Sequence, residues 1–290
     1  MATNTPFGQR LGLVLEGGAM RGIYTAGVLD VFREAGIMPD VVVGVSAGAL
    51  HGCSYVAGQK GRSIRYYRKY RSDKHFMGLY SLLTTGDVVG TKFCYEDIPL
   101  RLDPFDEAAF EKAPVDFYVT VTNVRTGKPE YILCDELKVG SKMDVIRAGA
   151  SMPLCSKMVE WNGNLYLDGG VSDSIPYAKM KDFGCRKSIV VLTQPAGYLK
   201  QPAAMAPFEA MYRKYPAFVE AMRGRDQMYN AEVCAVEQAA KQGDVFLIRP
   251  SKLLHVGRME HDIEVLNAQY ELGRQDARNQ MDAMREWMER

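Results

Sequence analysis

The sequence predicts an α/β fold, a mostly parallel central sheet flanked by helices, and three observations lead there. Short apolar, β-branched-rich runs recur at Leu11–Leu15, Val41–Val45, Lys187–Thr193 and Asp244–Ile248, lengths suited to buried parallel strands. Between the first two runs lies a segment with helical spacing, so strand, helix and strand make a right-handed βαβ unit. The chain has 290 residues, 47% hydrophobic and 24% charged, enough to bury a large core without staples.

Residues 1–10 read as an N-terminal tail without the apolar stretch of a leader. No later segment reaches the roughly eighteen consecutive apolar residues of a membrane span, so a cytoplasmic protein is expected. Leu11–Leu15 runs into Glu16-Gly17-Gly18-Ala19-Met20-Arg21-Gly22. Such a loop can turn main-chain N–H groups toward an anion, as an oxyanion hole or a phosphate cradle does. Its spacing fits neither the P-loop nor the dinucleotide fingerprint. A helix follows from about Ile23 to Ala35, with Ile23, Ala26, Leu29 and Phe32 inward and Gly36 closing it.

The Val41–Val45 strand enters Gly44-Val45-Ser46-Ala47-Gly48, and a helix from Ala47 to about Ala57 leaves it. G-x-S-x-G between strand and helix is a nucleophile elbow: Ser46 projects at the bend, and Gly44 and Gly48 let strand and helix approach closely. In a βαβ unit the glycine loop and Ser46 both fall at carboxyl ends of parallel strands, where open α/β sheets bind ligands.

Lys60–Lys74 interleaves Lys and Arg with Tyr66, Tyr67 and Tyr70, a solvated helix face with tyrosines inward or a basic, aromatic face able to meet phosphates. His75–Val89 is either a mobile apolar flap or an irregular core segment. Val115–Val121 and Glu130–Cys134 form a hairpin around Thr126-Gly127-Lys128, and a helix from about Ser141 to Ala150 is bounded by Pro153. Asn162-Gly163 joins Val159–Trp161 to Asn164–Leu167, so Asp168 emerges from a strand beside Gly169 and Gly170. The alternative for Asp168 is a cap on a helix from about Ile175 to Phe183, although Asp173 and Ser174 stand nearer.

After Lys187–Thr193, prolines break the chain before a helix from about Ala217 to Gln242. Met205, Phe208, Met211, Tyr212, Phe218 and Met222 there supply either apolar cover over the active-site edge or the core of a helical layer. Ile263, Leu266, Tyr270, Ala277, Met281, Met284 and Met288 recur at helical spacing, and this last helix is expected to pack on the core, with a dimer contact or membrane-surface helix as the sharper alternative. The expected division is a 1–10 tail, an 11–195 catalytic core, a 196–250 helical insertion with the last core strand, and a 251–290 helical extension.

Lys plus Arg total 36 against 35 Asp plus Glu, so no global charge draws nucleic acid. The six cysteines show no C-x-x-C and no histidine at ligand spacing, and no metal or cofactor is expected. Ser46 needs a base, and the residues alone leave two: Asp168, or a histidine of a Ser-His-Asp triad among His51, His75, His255 and His261.

Gly17-Gly18-Ala19-Met20-Arg21-Gly22, then Gly44-Val45-Ser46-Ala47-Gly48, then Asp168-Gly169-Gly170 resemble the patatin-like phospholipase family. Its pattern is G-G-G-x-[KR]-G, G-x-S-x-G and D-G-[GA]. Arg147-Ala148-Gly149-Ala150-Ser151-Met152-Pro153 is similar to the A-S-x-x-x-P segment ahead of the aspartate, with Pro153 one place early. Ala19 replaces the third glycine of the loop; it keeps the N–H, but its methyl disfavours positive φ. The C-terminal tail, introduced by Gly257-Arg258-Met259-Glu260, resembles the extension of a bacterial patatin-like subfamily.

The resemblance implies a three-layer sandwich with the elbow after the second strand, Ser46 as nucleophile and Asp168 as base. Gly17, Gly18 and Ala19 would surround the oxyanion, supported by Arg21, Gly22, Gly44, Gly48, Gly169 and Gly170. Arg21 would shape the loop or meet a headgroup phosphate. It further implies hydrolysis of phospholipid or lysophospholipid acyl esters without cofactor, and a transient contact at the inner membrane face. Alternatives are a soluble carboxylesterase or acyltransferase of small esters, and a non-catalytic lipid- or protein-binding protein.

Overall fold

The computed structural model describes residues 6–290; residues 1–5 of the expected tail lie outside the described residues. In chain order the elements are β1 (Arg10–Leu15), α1 (Ile23–Glu34), β2 (Val41–Val45), α2 (Ala47–Val56), α3 (Arg62–Tyr70) and α4 (Leu79–Thr85). A π-type segment, Phe93–Leu102, accommodates Pro99, and α5 (Glu107–Lys112) follows. Next come β3 (Asp116–Asn123), β4 (Pro129–Leu133), α6 (Met143–Gly149), β5 (Val159–Trp161), β6 (Asn164–Asp168) and β7 (Cys185–Val191). The chain closes with α7 (Ala206–Met211), α8 (Pro216–Arg223), α9 (Arg225–Gln242), β8 (Val245–Ile248) and α10 (Ile263–Glu289).

The strands form one sheet of order β5-β6-β3-β2-β1-β7-β8, with β4 pairing β3 off this path. Pairs from β3 through β2, β1 and β7 to β8 are parallel, while β4, β5 and β6 add antiparallel pairings at the other side. Alternation sorts the side chains. Leu13, Leu15, Val42, Ile189 and Val191 face α1, α2 and α10, whereas Val14, Val41, Val43, Val190 and Leu192 face Tyr229, Val236 and Ala239 of α9. Helix, sheet and helix are the expected three layers.

Two expected helices differ. Ala217–Gln242 is broken at Gly224 into α8 and α9. The Ile175–Phe183 stretch holds only a short 3₁₀ turn, Ala178–Lys181. Its first amides, Ser174 and Ile175, donate to the Glu232 carboxylate at 3.1 and 3.0 Å. A side chain from α9 thus supplies what a local cap would, and neither Asp168, Asp173 nor Ser174 caps a helix there.

The C-terminal helix packs on the core through a motif both partners carry. α1 and α10 each contain Tyr-x-x-Gly-x-x-Asp, at Tyr24, Gly27, Asp30 and at Tyr270, Gly273, Asp276. They cross antiparallel, Tyr24 Oη donating to Asp276 at 3.1 Å and Tyr270 Oη to Asp30 at 2.5 Å. A Cβ at Gly27 would lie 2.1 Å from the Tyr270 carbonyl oxygen, and one at Gly273 2.1 Å from that of Tyr24. The backbones therefore touch, and each aspartate receives a phenol in a place water does not reach. No helix among the described residues is long and apolar enough to cross a membrane.

Candidate active site

β2 and α2 meet at Ser46, whose backbone has φ 53 and ψ −122. A non-glycine residue in this sparsely populated region is strained by about 1–3 kcal/mol and persists where its surroundings fix it. They do: a Cβ at Gly48 would sit 2.3 Å from the Leu15 carbonyl oxygen, so α2 leaves the bend hard against β1. Gly44 abuts Ala49 in the same turn, and Gly22 abuts Ala47. The Ser46 residue is 8% exposed.

The glycine loop approaches from β1. A Cβ at Gly17 would fall 2.8 Å from the Ser46 Cβ, so main chain rather than side chain faces the serine. Gly18 leans on Thr193, whose hydroxyl donates to the Gly17 carbonyl at 3.0 Å. Among the described residues, the amides of Gly17, Gly18 and Ala19 have no hydrogen-bond acceptor. Unclaimed, preorganised donors beside a nucleophile are what an oxyanion hole requires. Positive φ falls at Ala19, at 48°. The backbone thus takes the left-handed conformation that a third glycine would hold freely, at a cost of roughly 1–2 kcal/mol for alanine.

Asp168 ends β6, paired with Val121 of β3, and is 6% exposed. Gly169 packs on the Thr120 carbonyl, and the Gly170 amide donates to Asp168 Oδ1 at 2.8 Å. Burial raises the Asp168 pKa above the ordinary carboxylate value, opposed first by a hydrogen bond with the Ser46 hydroxyl, then by the Arg225 guanidinium and the Gly170 amide. A desolvated carboxylate held against a serine hydroxyl is a stronger base than one in water.

The four histidines lie elsewhere. His51 Nδ1 is 3.0 Å from Ser63 Oγ, and burial pushes the ring's pKa down to about 3. His75 pairs with Asp73, and His255 and His261 are exposed. None hydrogen-bonds Ser46 or Asp168 among the described residues, and no triad is assembled. Nor do any three His, Cys, Asp or Glu side chains among those residues group as metal ligands would.

Two cavities meet at Ala19, Ser46 and Met152. One, about 920 Å³ including its open mouth, is apolar, walled by Tyr66 and Tyr67 of α3, Phe76, Met77, the π-type segment and Met143 and Ile146 of α6. The Lys60–Lys74 tyrosines therefore pack inward. Its cations are mostly spent on protein partners: Arg62 and Arg65 on Asp103, Arg71 on the carbonyls of Met259 and Glu260. Within His75–Val89, Met77 bridges to Val89 at the base and lines the cavity, while Leu79 and Leu83 of α4 stand 69% and 77% exposed.

The second cavity, about 1020 Å³ including its mouth, is the more polar of the two, with Glu16, Arg21, Asp168, Gln194, Lys200, Arg225 and Arg258 in its wall. Sequence reasoning singled out Arg21 but missed Lys200 and Arg225, which belong to no local motif. Of the two readings of the insertion's apolar residues, the core of a helical layer holds for most of them. Tyr212, Phe218 and Met222 form a separate buried cluster, Met211 is 60% exposed, and Phe208 and Met222 reach only the polar cavity.

The family model described as Patatin-like phospholipase matches residues 13–180, and one described as a domain of unknown function, DUF6363, matches residues 215–289. YjjU of Escherichia coli (strain K12), described as uncharacterized, is 28% identical over 273 residues, covering 91% of this chain and 75% of YjjU. Lysophospholipase NTE1 of Saccharomyces cerevisiae is 30% identical over 190 residues, covering 63% of this chain. The matched region is 11% of that yeast protein and 11% of the Aspergillus terreus lysophospholipase nte1, which is 30% identical over 182 residues. VipD from Legionella pneumophila aligns with a TM-score of 0.48 and 13% identity over 96% of this chain and 67% of its own.

Proposed function

The chain belongs to the patatin-like phospholipase family, hydrolases of lipid esters, and on that premise we propose a serine lipid acyl hydrolase acting through Ser46 and Asp168 on phospholipids or lysophospholipids. Ser46 Oγ attacks the acyl carbonyl carbon while its proton passes to Asp168. The tetrahedral oxyanion is received by the Gly17, Gly18 and Ala19 amides, each such donor being worth about 2.7–4 kcal/mol. The ester C–O bond breaks, the leaving alcohol takes the proton from Asp168, and an acyl-enzyme remains. Water then attacks, giving its proton to Asp168, and the fatty acid departs as Ser46 is restored.

One observation carries this reading: Ser46 lies where the apolar and polar cavities join, and Asp168 lines the polar one with it. An acyl chain fits the first and a polar alcohol the second. The apolar lining of the first cavity, rich in aromatic rings and methionines, favours a hydrocarbon chain over the short acyl group of a small ester. The exposed Leu79 and Leu83 stand on the segment that walls that cavity, and they support a lipid-surface contact there.

Hydrolysis of p-nitrophenyl esters of rising chain length tests the assignment. Ser46→Ala should abolish turnover, and Asp168→Asn should lower kcat by about 10²- to 10⁴-fold. The His255→Ala, His261→Ala double variant should retain wild-type rates. Turnover surviving in Ser46→Ala would sink the assignment; full activity in Asp168→Asn with loss in the histidine variant would replace the dyad by a triad.

A further inference from the structure

The polar cavity concentrates positive charge in a protein whose formal net charge is +1. Arg21 of the glycine loop, Lys200 after β7, Arg225 at the start of α9 and Arg258 before α10 all line it. Among the described residues none of the four has a salt-bridge partner. Arg21 Nε is buried without a hydrogen-bond acceptor. Arg225 spends its Nε on the Gly170 carbonyl at 2.6 Å.

Lys200 is held in place by its backbone: its amide donates to Asn230 Oδ1 at 2.9 Å, and its carbonyl accepts from Asn230 Nδ2 at 3.1 Å. Its ammonium lies 4.1 Å from the centre of the Tyr229 ring. Two carboxylates, Glu16 and Asp168, stand in the wall against these four cations, and Asp168 faces Arg225. Glu16 is engaged by the Thr193 amide and the Tyr229 hydroxyl at 2.5 and 2.9 Å, and burial raises its pKa. Burial and the neighbouring Arg225, Arg21 and Arg258 in turn push Lys200 down to about 8, although Glu16 opposes this.

Like charges gathered in a partly dehydrated cavity are stabilised by an anion, and Arg in particular matches the oxygens of phosphate. Resting on the hydrolase reading above, we propose that this chamber binds the phosphate of the leaving alcohol. The preferred substrate is then an acyl glycerol phosphate with no cationic group beyond the phosphate. The acyl chain occupies the apolar cavity, the ester straddles Ser46, and the phosphate lies among Arg21, Lys200, Arg225 and Arg258. A choline beyond the phosphate would bring its own positive charge against Lys200 and Arg258.

The test compares kcat/KM for three monomeric substrates with one acyl chain: 1-acylglycerol, 1-acylglycerol-3-phosphate and 1-acylglycerophosphocholine. Wild type should favour the phosphate ester about tenfold or more over each of the others. A Lys200→Met, Arg258→Met double variant should lower that ratio about tenfold, with Lys200→Arg restoring much of the single-site loss. Inorganic phosphate should compete with 1-acylglycerol and bind wild type more tightly than the double variant by calorimetry. Equal rates for the neutral and phosphate esters, a preference for choline, or an unchanged ratio in the double variant would each overturn the proposal while leaving the hydrolase reading intact. Inhibition by inorganic phosphate without a preference for the phosphate ester would assign the chamber to a free anion and overturn it too. Hydrolysis of none of the three, nor of p-nitrophenyl esters, would bring down the hydrolase reading itself.

Discussion

The two cavities that share Ser46 differ in how their walls handle charge. On the apolar side the wall contains Arg62, but its guanidinium is committed to Asp103 and Ser54, and aromatic rings fill the space around it. On the polar side Arg21, Lys200 and Arg258 are left without ionic partners. A cation that braces the fold is neutralised within it, whereas one meant for a ligand keeps its donors available. The difference separates structural from functional charge in a sequence whose overall balance is nearly neutral.

Filling the apolar cavity should remove its part in binding. Val89→Trp should obstruct that cavity and cut kcat/KM for long-chain p-nitrophenyl esters by more than about 30-fold, with little change for the acetate, since a few methylenes in an apolar pocket are each worth about 1–3 kcal/mol. Equal losses at every chain length would remove the acyl assignment.

Acid sharpens the polar side. Asp168 must be ionised to act as base, and its raised pKa means activity should fall about tenfold per pH unit below a limb lying above the usual carboxylate range. Stability should move the opposite way. The folded state binds this proton more tightly than the unfolded chain, so the group's contribution to stability grows as pH drops through that window and is lost as pH rises through it. A pH-rate profile beside denaturant midpoints measures both, and a limb at or below the ordinary aspartate value would contradict the site's desolvation.

A smaller effect concerns the approach to the apolar cavity. Leu79→Gln with Leu83→Gln should reduce hydrolysis of phospholipid vesicles several-fold while sparing monomeric esters, because two exposed leucines lose their favourable transfer into lipid. The smallest lies where the cavities meet. Ala19→Gly should relieve left-handed strain of roughly 1–2 kcal/mol. The freer unfolded chain takes back about 0.4–1 kcal/mol, so stability measured by denaturation should rise by about 0–1.6 kcal/mol.

Much of the candidate site's geometry was legible because its residues are local in sequence. β1, the glycine loop, α1, β2 and the Ser46 elbow form one βαβ unit whose glycines are dictated by backbone contact, and Asp168 leaves a hairpin marked by Asn162-Gly163. The cavity walls were not legible in this way. Tyr66, Ile98 and Met143 converge only after folding, and so do Lys200, Arg225 and Arg258. The break at Gly224 and the capping of the 174–175 amides by Glu232 were hidden for the same reason, since packing between distant segments decided them.

The seam between α1 and α10 sets an order in time. Tyr24 and Asp276 lie 252 residues apart, and a chain emerging N-terminus first contains the loop, the serine and the aspartate long before the helix that braces α1. During synthesis the segments carrying Ser46 and Asp168 are therefore present before the helix that packs on α1. A fragment ending before Ile263 should be cut by protease within α1, where the 290-residue chain resists; equal resistance would mean that α10 does not brace α1.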